Sequence, residues 1–201
     1  MEKKSIGFGS LLACLCLIAW MPRVSAQDSI EEIRNHYYAV KQSIAHMEAN
    51  EMPSEYYQVK VMQNLPGSGG HEEVVNMYYA DREDHDIWPS HWLELVTTHY
   101  NFAVREYYEE YLYNANGDIA FIFARNPDVK FGSEYEFRFY FDDGLVKVNI
   151  RSREQVNSGE FKQVYDGDEV PQEYQSYYNE FVNRIKTNRV LFFAVDEALR
   201  R

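Results

Sequence analysis

Apolar residues between positions 30 and 47 recur at spacings of three and four. This spacing places them on one side of a helix, and Asp28 with Glu31 has the form of a capping box at its start. Asn50 and Pro53 then provide an end. We therefore predict a first helix over residues 29–49, packed on a sheet through Ile30, Ile33, Tyr37, Val40, Ile44 and Met47.

The apolar period changes to two after Glu55, which is typical of strands. Asn116-Gly117 and Asp143-Gly144 have the chemistry of tight hairpin turns, because these residues adopt positive φ angles at low cost. Consecutive hairpins indicate an antiparallel meander of about six strands. The strand-like segments are 57–62, 74–80, 93–113, 119–124, 135–141 and 145–150, and the third holds either one long bent strand or two short ones.

A second helical pattern closes the chain. Pro171 suits the first turn of a helix, and apolar side chains follow at Tyr174, Tyr178, Phe181 and Ile185. We predict helix through most of residues 172–199. The predicted fold class is α+β, with a single domain over residues 27–201. In that domain an N-terminal and a C-terminal helix pack on one face of the antiparallel meander.

The first 26 residues have the three parts of a signal peptide. Lys3 and Lys4 supply charge, residues 6–21 are apolar, and Val24-Ser25-Ala26 reads as a cleavage site before Gln27. The apolar run of 16 residues is shorter than the roughly 20 that a membrane-spanning helix needs, so we predict no stable membrane span. A lipidated N-terminus at Cys14 is the alternative, but apolar sequence continues past it, which disfavours that alternative.

Export changes the composition of the remaining chain. Both cysteines lie in the signal, so disulfides and thiolate sites are excluded after cleavage. Removing Lys3, Lys4, Arg23 and Glu2 also lowers the formal net charge from −12 to −14. Nucleic-acid binding requires clustered Lys and Arg, so this acidic balance argues against a nucleic-acid partner.

The segment 81–92 holds the densest group of polar and aromatic side chains, and it interrupts the meander where a loop is expected. The candidate binding residues there are Asp84, His85, Asp86, Trp88, His91 and Trp92. The histidines and carboxylates have the donor atoms of a divalent-cation site, but their spacing matches no established metal motif. We therefore favour an acidic, solvated loop anchored by its two tryptophans, and we predict no metal site.

No motif assigns a catalytic residue or a cofactor, and we predict neither. His71-Glu72 resembles the start of H-E-x-x-H, but Val75 stands where the second histidine is required. Glu109 and Glu110 are neighbours in a strand and point to opposite faces, so they are not the facing pair that a glycosidase needs. The tyrosine doublets suit an exposed row of sugar-binding rings, although one ring in the core and one on the wet face explains them equally well.

Part of the chain resembles other proteins, namely the export signal and the segments Tyr111–Asn114, Gly117–Phe121 and Tyr135–Leu145. These parts resemble small secreted proteins of uncharacterised function common in Bacteroidetes. The resemblance covers the signal and roughly residues 105–150. It implies no catalytic residues, and it implies a periplasmic or surface location in a Gram-negative cell.

These observations favour an exported, non-enzymatic binding or accessory protein of the cell envelope. Its expected partner is an envelope protein or a glycan, and its expected location is periplasmic or extracellular. One alternative is a hydrolase acting on envelope or dietary polymers, which requires a concave pocket with convergent titratable groups. Another is a carrier of small ligands, which a deep apolar cavity between the sheet and the helices would support.

Overall fold

The computed structural model describes residues 26–50, 55–82, 90–128, 132–154 and 159–199. The predicted signal peptide, apart from its last residue Ala26, lies outside the described residues, and both cysteines lie there too. Four of the six candidate binding residues, Asp84, His85, Asp86 and Trp88, also fall outside them.

Two long helices and a sheet of eight strands make up the described chain. Helix α1 is Ala26–Ala49, and helix α2 is Gln175–Leu199, which follows a short 3₁₀ helix at Gln172–Tyr174. Neither helix is long and apolar enough to cross a membrane, and no other helix in the described ranges is. The strands are β1 Tyr56–Leu65, β2 Gly69–Asp81, β3 His91–Phe102, β4 Arg105–Tyr113, β5 Ile119–Pro127, β6 Ser133–Phe141, β7 Leu145–Glu154 and β8 Lys162–Gly167.

Each strand pairs antiparallel with the next, in the spatial order β1 to β8. The α+β class, the antiparallel meander and the two terminal helices are therefore confirmed. Gly117, with a φ of 89°, and Asp143-Gly144, with φ values of 51° and 139°, form hairpin turns where the sequence predicted them. Of the two alternatives for segment 93–113, the one with two strands is confirmed, because the segment folds as the hairpin β3–β4. The predicted number of about six strands was too low, since the edge strand β8 brings the sheet to eight.

The face of the sheet toward α2 carries the larger apolar core. Phe181 lies 5.6 Å from Phe137 between ring centroids, and Phe192 lies 5.9 Å from Tyr57. The fully buried members of this core alternate along the strands, as a pleated sheet requires. They include Met77, Val96, Tyr111, Tyr113, Ile122, Ala124, Phe137, Phe139, Val148 and Ile150.

Helix α1 packs on the opposite face. Its Ile30 and Val40 are buried against Leu95, Leu112 and Tyr140. The ring of Tyr37 meets the ring of Phe121 edge-on, at 5.1 Å between centroids. Five of the six apolar positions predicted for the first helix thus belong to the core against the sheet: Ile30, Ile33, Tyr37, Val40 and Ile44.

The prediction that both helices pack on one face was wrong. The end of β4 is buried at every position from Glu109 to Tyr113, and Ala120-Phe121-Ile122 in β5 is also buried throughout. Successive residues of a strand point to opposite faces, so such a run needs a cover on both. One helix on each face supplies those covers.

Two neighbouring glutamates of β4 each form an ion pair with one of the two helices. Glu109 faces α2 and accepts hydrogen bonds from Tyr111 at 2.6 Å and from Tyr100 at 2.9 Å, with Arg184 Nε of α2 at 3.5 Å. Burial raises the pKa of Glu109, and the opposing effects of Arg184 and the two tyrosine hydroxyls do not cancel that increase.

Glu110 faces α1 and makes a matching set of contacts. Tyr37 of α1 and Tyr108 of β4 both donate hydrogen bonds to its carboxylate. Lys41 of α1 lies 2.8 Å from its Oε1 atom. Each helix is therefore attached to the central strand by one cation and one buried carboxylate, on opposite sides of the same dipeptide.

Candidate functional site

Helix α1 leaves part of its face of the sheet open, and a cleft of about 310 Å³ lies beside it. We call this recess the arginine cleft. Its lining includes Arg34, Tyr37 and Tyr38 from α1 and Phe123, Arg125, Glu136, Arg138 and Tyr140 from the sheet.

Strand alternation places the sheet residues of the cleft on one face. On β5 the cleft residues are Phe121, Phe123 and Arg125, which occupy alternate positions of the strand. On β6 the alternate positions Glu136, Arg138 and Tyr140 also line the cleft. Strand pairing then brings the two sets together, since Phe123 is paired with Arg138 and Arg125 with Glu136. The apolar positions lie nearer α1, and the charged positions lie beyond it.

The buried carboxylate of Glu136 organises the charged part of the cleft. Arg125 Nη2 lies 2.8 Å from Oε1, while Arg138 Nη2 and Arg151 Nη1 lie 2.9 and 3.5 Å from Oε2. Burial by itself would raise the pKa of Glu136, but the hydrogen bonds from Arg125 and Arg138 outweigh burial and lower it. Glu136 is therefore ionised at neutral pH.

Two guanidinium nitrogens in this group have no hydrogen-bond acceptor among the described residues, although one of them, Arg125 Nε, lies 3.9 Å from Glu134 Oε1. Arg138 Nη1 and Arg125 Nε are both buried and form no hydrogen bond there. A buried donor without an acceptor is costly, typically about 1–3 kcal/mol, so a native protein rarely retains one without a use. Both side chains line the arginine cleft.

Aromatic rings support the cations of the cleft. Arg34 Nε lies 3.4 Å from the hydroxyl of Tyr140, and its guanidinium lies 5.3 Å from the centre of that ring. The guanidinium of Arg138 lies 5.1 Å from the centre of the Phe123 ring. These contacts hold two cations over ring faces, where cation–π attraction fixes their position.

The surface around the cleft carries charge opposite to that of the whole chain. A second recess of about 480 Å³ extends from Arg34 and Arg138 to Lys147, Arg151 and Asp166. The described residues that line the two recesses include five cationic side chains and two carboxylates. The chain as a whole has a formal net charge of −12, so this local excess of positive charge is a distinct feature.

His91 and Trp92, the two candidate residues that the structure describes, are the first two residues of β3 and face opposite ways. His91 Nδ1 lies 2.6 Å from Asp196 Oδ1 of α2, whereas Trp92 lies 6.5 Å from His36 of α1 between ring centroids. The structure therefore does not bring these two residues together. A binding role for the segment containing Asp84, His85, Asp86 and Trp88 stays a prediction.

The His91 side chain belongs to a small polar cluster at one end of the α2 face. The hydroxyl of Tyr57 donates to the same Asp196 oxygen at 3.0 Å, and Asp81 lies 3.4 Å from His91 Nε2. The ring of Tyr79 stacks on the imidazole at 4.4 Å. Over the ranges that the structure describes, no group of three or more His, Cys, Asp and Glu side chains is arranged to hold a metal ion.

The cleft arginines were not among the residues that the sequence suggested. The sequence does contain a signal for them, because charged residues occupy alternating positions of three successive strands. These residues are Arg125 in β5, Glu136 and Arg138 in β6, and Arg151 and Arg153 in β7. That alternation normally indicates a solvated face. Only the pairing register shows that these charges surround one buried carboxylate beside a helix.

Comparisons of the chain with protein-family models, with curated proteins and with solved structures find no match.

Proposed function

We propose that this chain is an exported, non-enzymatic binding protein that holds a small ligand in the arginine cleft. The observation that carries the proposal is the group of three guanidiniums around the buried Glu136 carboxylate, with Arg138 Nη1 left without an acceptor. A ligand with acceptor atoms supplies the missing partner.

The dimensions and composition of the cleft support binding of a small molecule. Pockets for small ligands typically occupy about 300–1,000 Å³ and combine apolar or aromatic walls with a few fixed polar groups. The arginine cleft, at about 310 Å³, has Tyr37, Phe123 and Tyr140 as walls and arginines as the fixed polar groups. Of the alternatives taken from the sequence, the carrier of small ligands gains the most from this geometry.

The charge state of the cleft favours binding over turnover. General acid–base catalysis works best when the pKa of the catalytic group lies near the working pH. The arginines stay protonated, and the pKa of Glu136 is lowered by Arg125 and Arg138 against the effect of burial. Among the described lining residues, no carboxylate is thus tuned to exchange a proton at neutral pH.

A thermal-shift screen of the chain, purified as the cell processes it, tests the proposal. The screen uses a library of small anions, cations, neutral ring compounds and soluble glycans, because a ligand that binds the folded state raises Tm. Ile33→Trp places a large ring at the cleft wall, and Val182→Trp on the exposed side of α2 is the matched control. We expect hits that Ile33→Trp abolishes and Val182→Trp retains.

Two results would contradict this part of the proposal. In the first, no compound in the library raises Tm, which would favour a protein partner. In the second, Ile33→Trp retains its own folded structure by circular dichroism and still responds to every hit. That result would place the binding site outside the cleft.

The export part of the proposal rests on the N-terminal sequence, and a separate measurement tests it. We expect mass spectrometry of the protein from fractionated cells to find a chain that begins at Gln27, in the periplasm or the medium. A lipid-modified chain that begins at Cys14 would support the lipoprotein alternative, and an intact Met1 in the cytoplasm would refute export.

A further inference from the structure

We infer that the ligand of the arginine cleft joins a doubly charged anionic head, of the phosphate monoester class, to a single ring. The inference rests on the proposed function and adds the chemical class of the ligand. It follows from the charge balance of the cleft, from the donors that it presents and from the rings at its rim.

The charge balance calls for more than one negative charge. Arg125, Arg138 and Arg151 surround Glu136. Arg125 also lies 3.9 Å from Glu134, which pairs with Arg153 at 2.6 Å. These four guanidiniums and two carboxylates leave two positive charges, and Arg34, which pairs with no described carboxylate, adds a third. Lys147 pairs with Asp166 and adds no net charge. A phosphate monoester carries about −1.5 to −2 charges at neutral pH and neutralises more than half of this excess, whereas a monocarboxylate neutralises a single charge.

The available donors fit a head with several acceptor oxygens. Arg138 Nη1 is buried without an acceptor among the described residues, so an oxyanion that reached it would satisfy a donor that is costly to leave unpaired. Arg34 forms no ion pair with a described carboxylate, and its Nε donates to the Tyr140 hydroxyl at 3.4 Å. Two arginines on different elements, one on α1 and one on β6, therefore converge on the same recess. Arginine is the side chain best suited to such multidentate contacts with phosphate.

The rings at the rim define the second part of the ligand. Tyr38 is 65% exposed although it lines the cleft, and its ring lies 5.6 Å from that of Tyr37. An exposed tyrosine beside a cationic group provides a surface on which a ligand ring packs. The volume of about 310 Å³ accommodates one ring with its head.

Isothermal titration calorimetry with four probes tests the inference. Phenyl phosphate carries both parts, methyl phenyl phosphate has one charge fewer, inorganic phosphate lacks the ring, and benzyl alcohol lacks the charge. We expect phenyl phosphate to bind most tightly, and removing one charge or the ring to weaken binding about tenfold, the equivalent of one charged hydrogen bond. Below about pH 6 phenyl phosphate becomes a monoanion, so its advantage should shrink there.

Variants locate the site. Arg34→Gln removes an exposed cation of the cleft and should weaken phenyl phosphate binding roughly tenfold. Arg189→Gln makes the same change at an exposed position of α2 and should leave binding unchanged. Arg151→Gln removes one of the three cations around Glu136 and should reduce the preference for phenyl phosphate over methyl phenyl phosphate.

The outcomes separate this inference from the proposed function. Equal binding of benzyl alcohol and phenyl phosphate, blocked by Ile33→Trp, would overturn the anionic head and leave the cleft as a binding site. Phenyl phosphate binding that Arg34→Gln and Arg189→Gln weaken equally would also overturn the inference, because general charge would then explain it. No binding of these probes, together with neutral hits in the thermal-shift screen, would again refute only the ligand class.

Discussion

The two faces of the sheet are covered by helices of almost equal length, yet they differ in what they leave exposed. Helix α2, with 25 residues, closes its face over a continuous core of aromatic and aliphatic side chains. Helix α1, with 24 residues, covers a smaller core and leaves Arg125, Arg138 and Arg151 beside it. The difference indicates a division of roles: one face supplies most of the stability, and the other keeps an open recess for binding.

The two faces also differ in the direction in which the pKa of a buried glutamate is shifted. On the α2 face, burial of Glu109 dominates and raises its pKa. On the α1 face, burial of Glu136 also acts to raise its pKa, but the cleft arginines outweigh it and the pKa is lowered. The ionised form of Glu109 under α2 is therefore destabilised by the fold, whereas the ionised form of Glu136 beside α1 is stabilised by the cleft arginines.

The largest effect should come from the core under α2. Phe181→Ala removes a fully buried ring that contacts Phe137 and Phe139, and it should lower the free energy of unfolding by about 3–5 kcal/mol. The matched control is Phe193→Ala on the same helix, where the ring is 49% exposed, with an expected cost of about 0.5 kcal/mol. Urea unfolding measures both. Equal costs would contradict the assignment of the core to this face.

The two helix anchors should differ next in strength. Arg184→Met leaves Glu109 buried with two tyrosine partners only, and it should cost about 3 kcal/mol at neutral pH. Lys41→Met removes a cation that is 38% exposed from Glu110, and screening by solvent should keep its cost at about 1 kcal/mol or less. Urea unfolding of both variants checks the order, and a larger loss for Lys41→Met would reverse the comparison.

The smallest effects concern pH, and they should have opposite signs on the two faces. The raised pKa of Glu109 means that the folded protein binds more protons than the unfolded chain, so its contribution to stability falls as pH rises above about 4.3. The lowered pKa of Glu136 gives a contribution that is complete above about pH 4.3 and is lost as pH falls through the folded pKa.

Glu109→Gln and Glu136→Gln isolate these two contributions. The stability of the wild-type protein relative to Glu109→Gln should decrease as pH rises above about 4.3, since only the wild type must ionise the buried group. Relative to Glu136→Gln it should decrease on acidification below about pH 4.3. Urea unfolding at a series of pH values gives both profiles. Two profiles of the same sign would show that the faces do not differ in this way.

Most of the fold follows from local patterns in the sequence. The helix positions Ile30, Ile33 and Tyr37 and the turns at Gly117 and Asp143-Gly144 were predicted, because period and turn chemistry are local properties. The β3–β4 hairpin was predicted only as one of two alternatives, because Ala103 takes a φ of 55° where no glycine marks the turn. Strand β8 was missed for another reason: it is a largely exposed edge strand, and only two of its six residues are half-buried.

The placement of the helices and the existence of the cleft could not be predicted from local sequence patterns. Burial on both sides of β4 was visible as the apolar run at Tyr111-Leu112-Tyr113, but the assignment of one helix to each side depends on tertiary packing. The cleft depends on register, since Arg125 and Glu136 are 11 positions apart in the sequence and meet only by pairing of β5 with β6. An alternating charge pattern does not by itself distinguish such a cleft from a solvated face.

The most direct test of the division between the faces is a two-dimensional ¹H–¹⁵N spectrum of the arginine Nε–H groups, recorded during a titration with phenyl phosphate. We expect saturable shifts at Arg34, Arg125 and Arg138 on the α1 face, with Arg184 and Arg189 on α2 unchanged. Saturable shifts at Arg184 or Arg189, with the cleft arginines unchanged, would contradict this division.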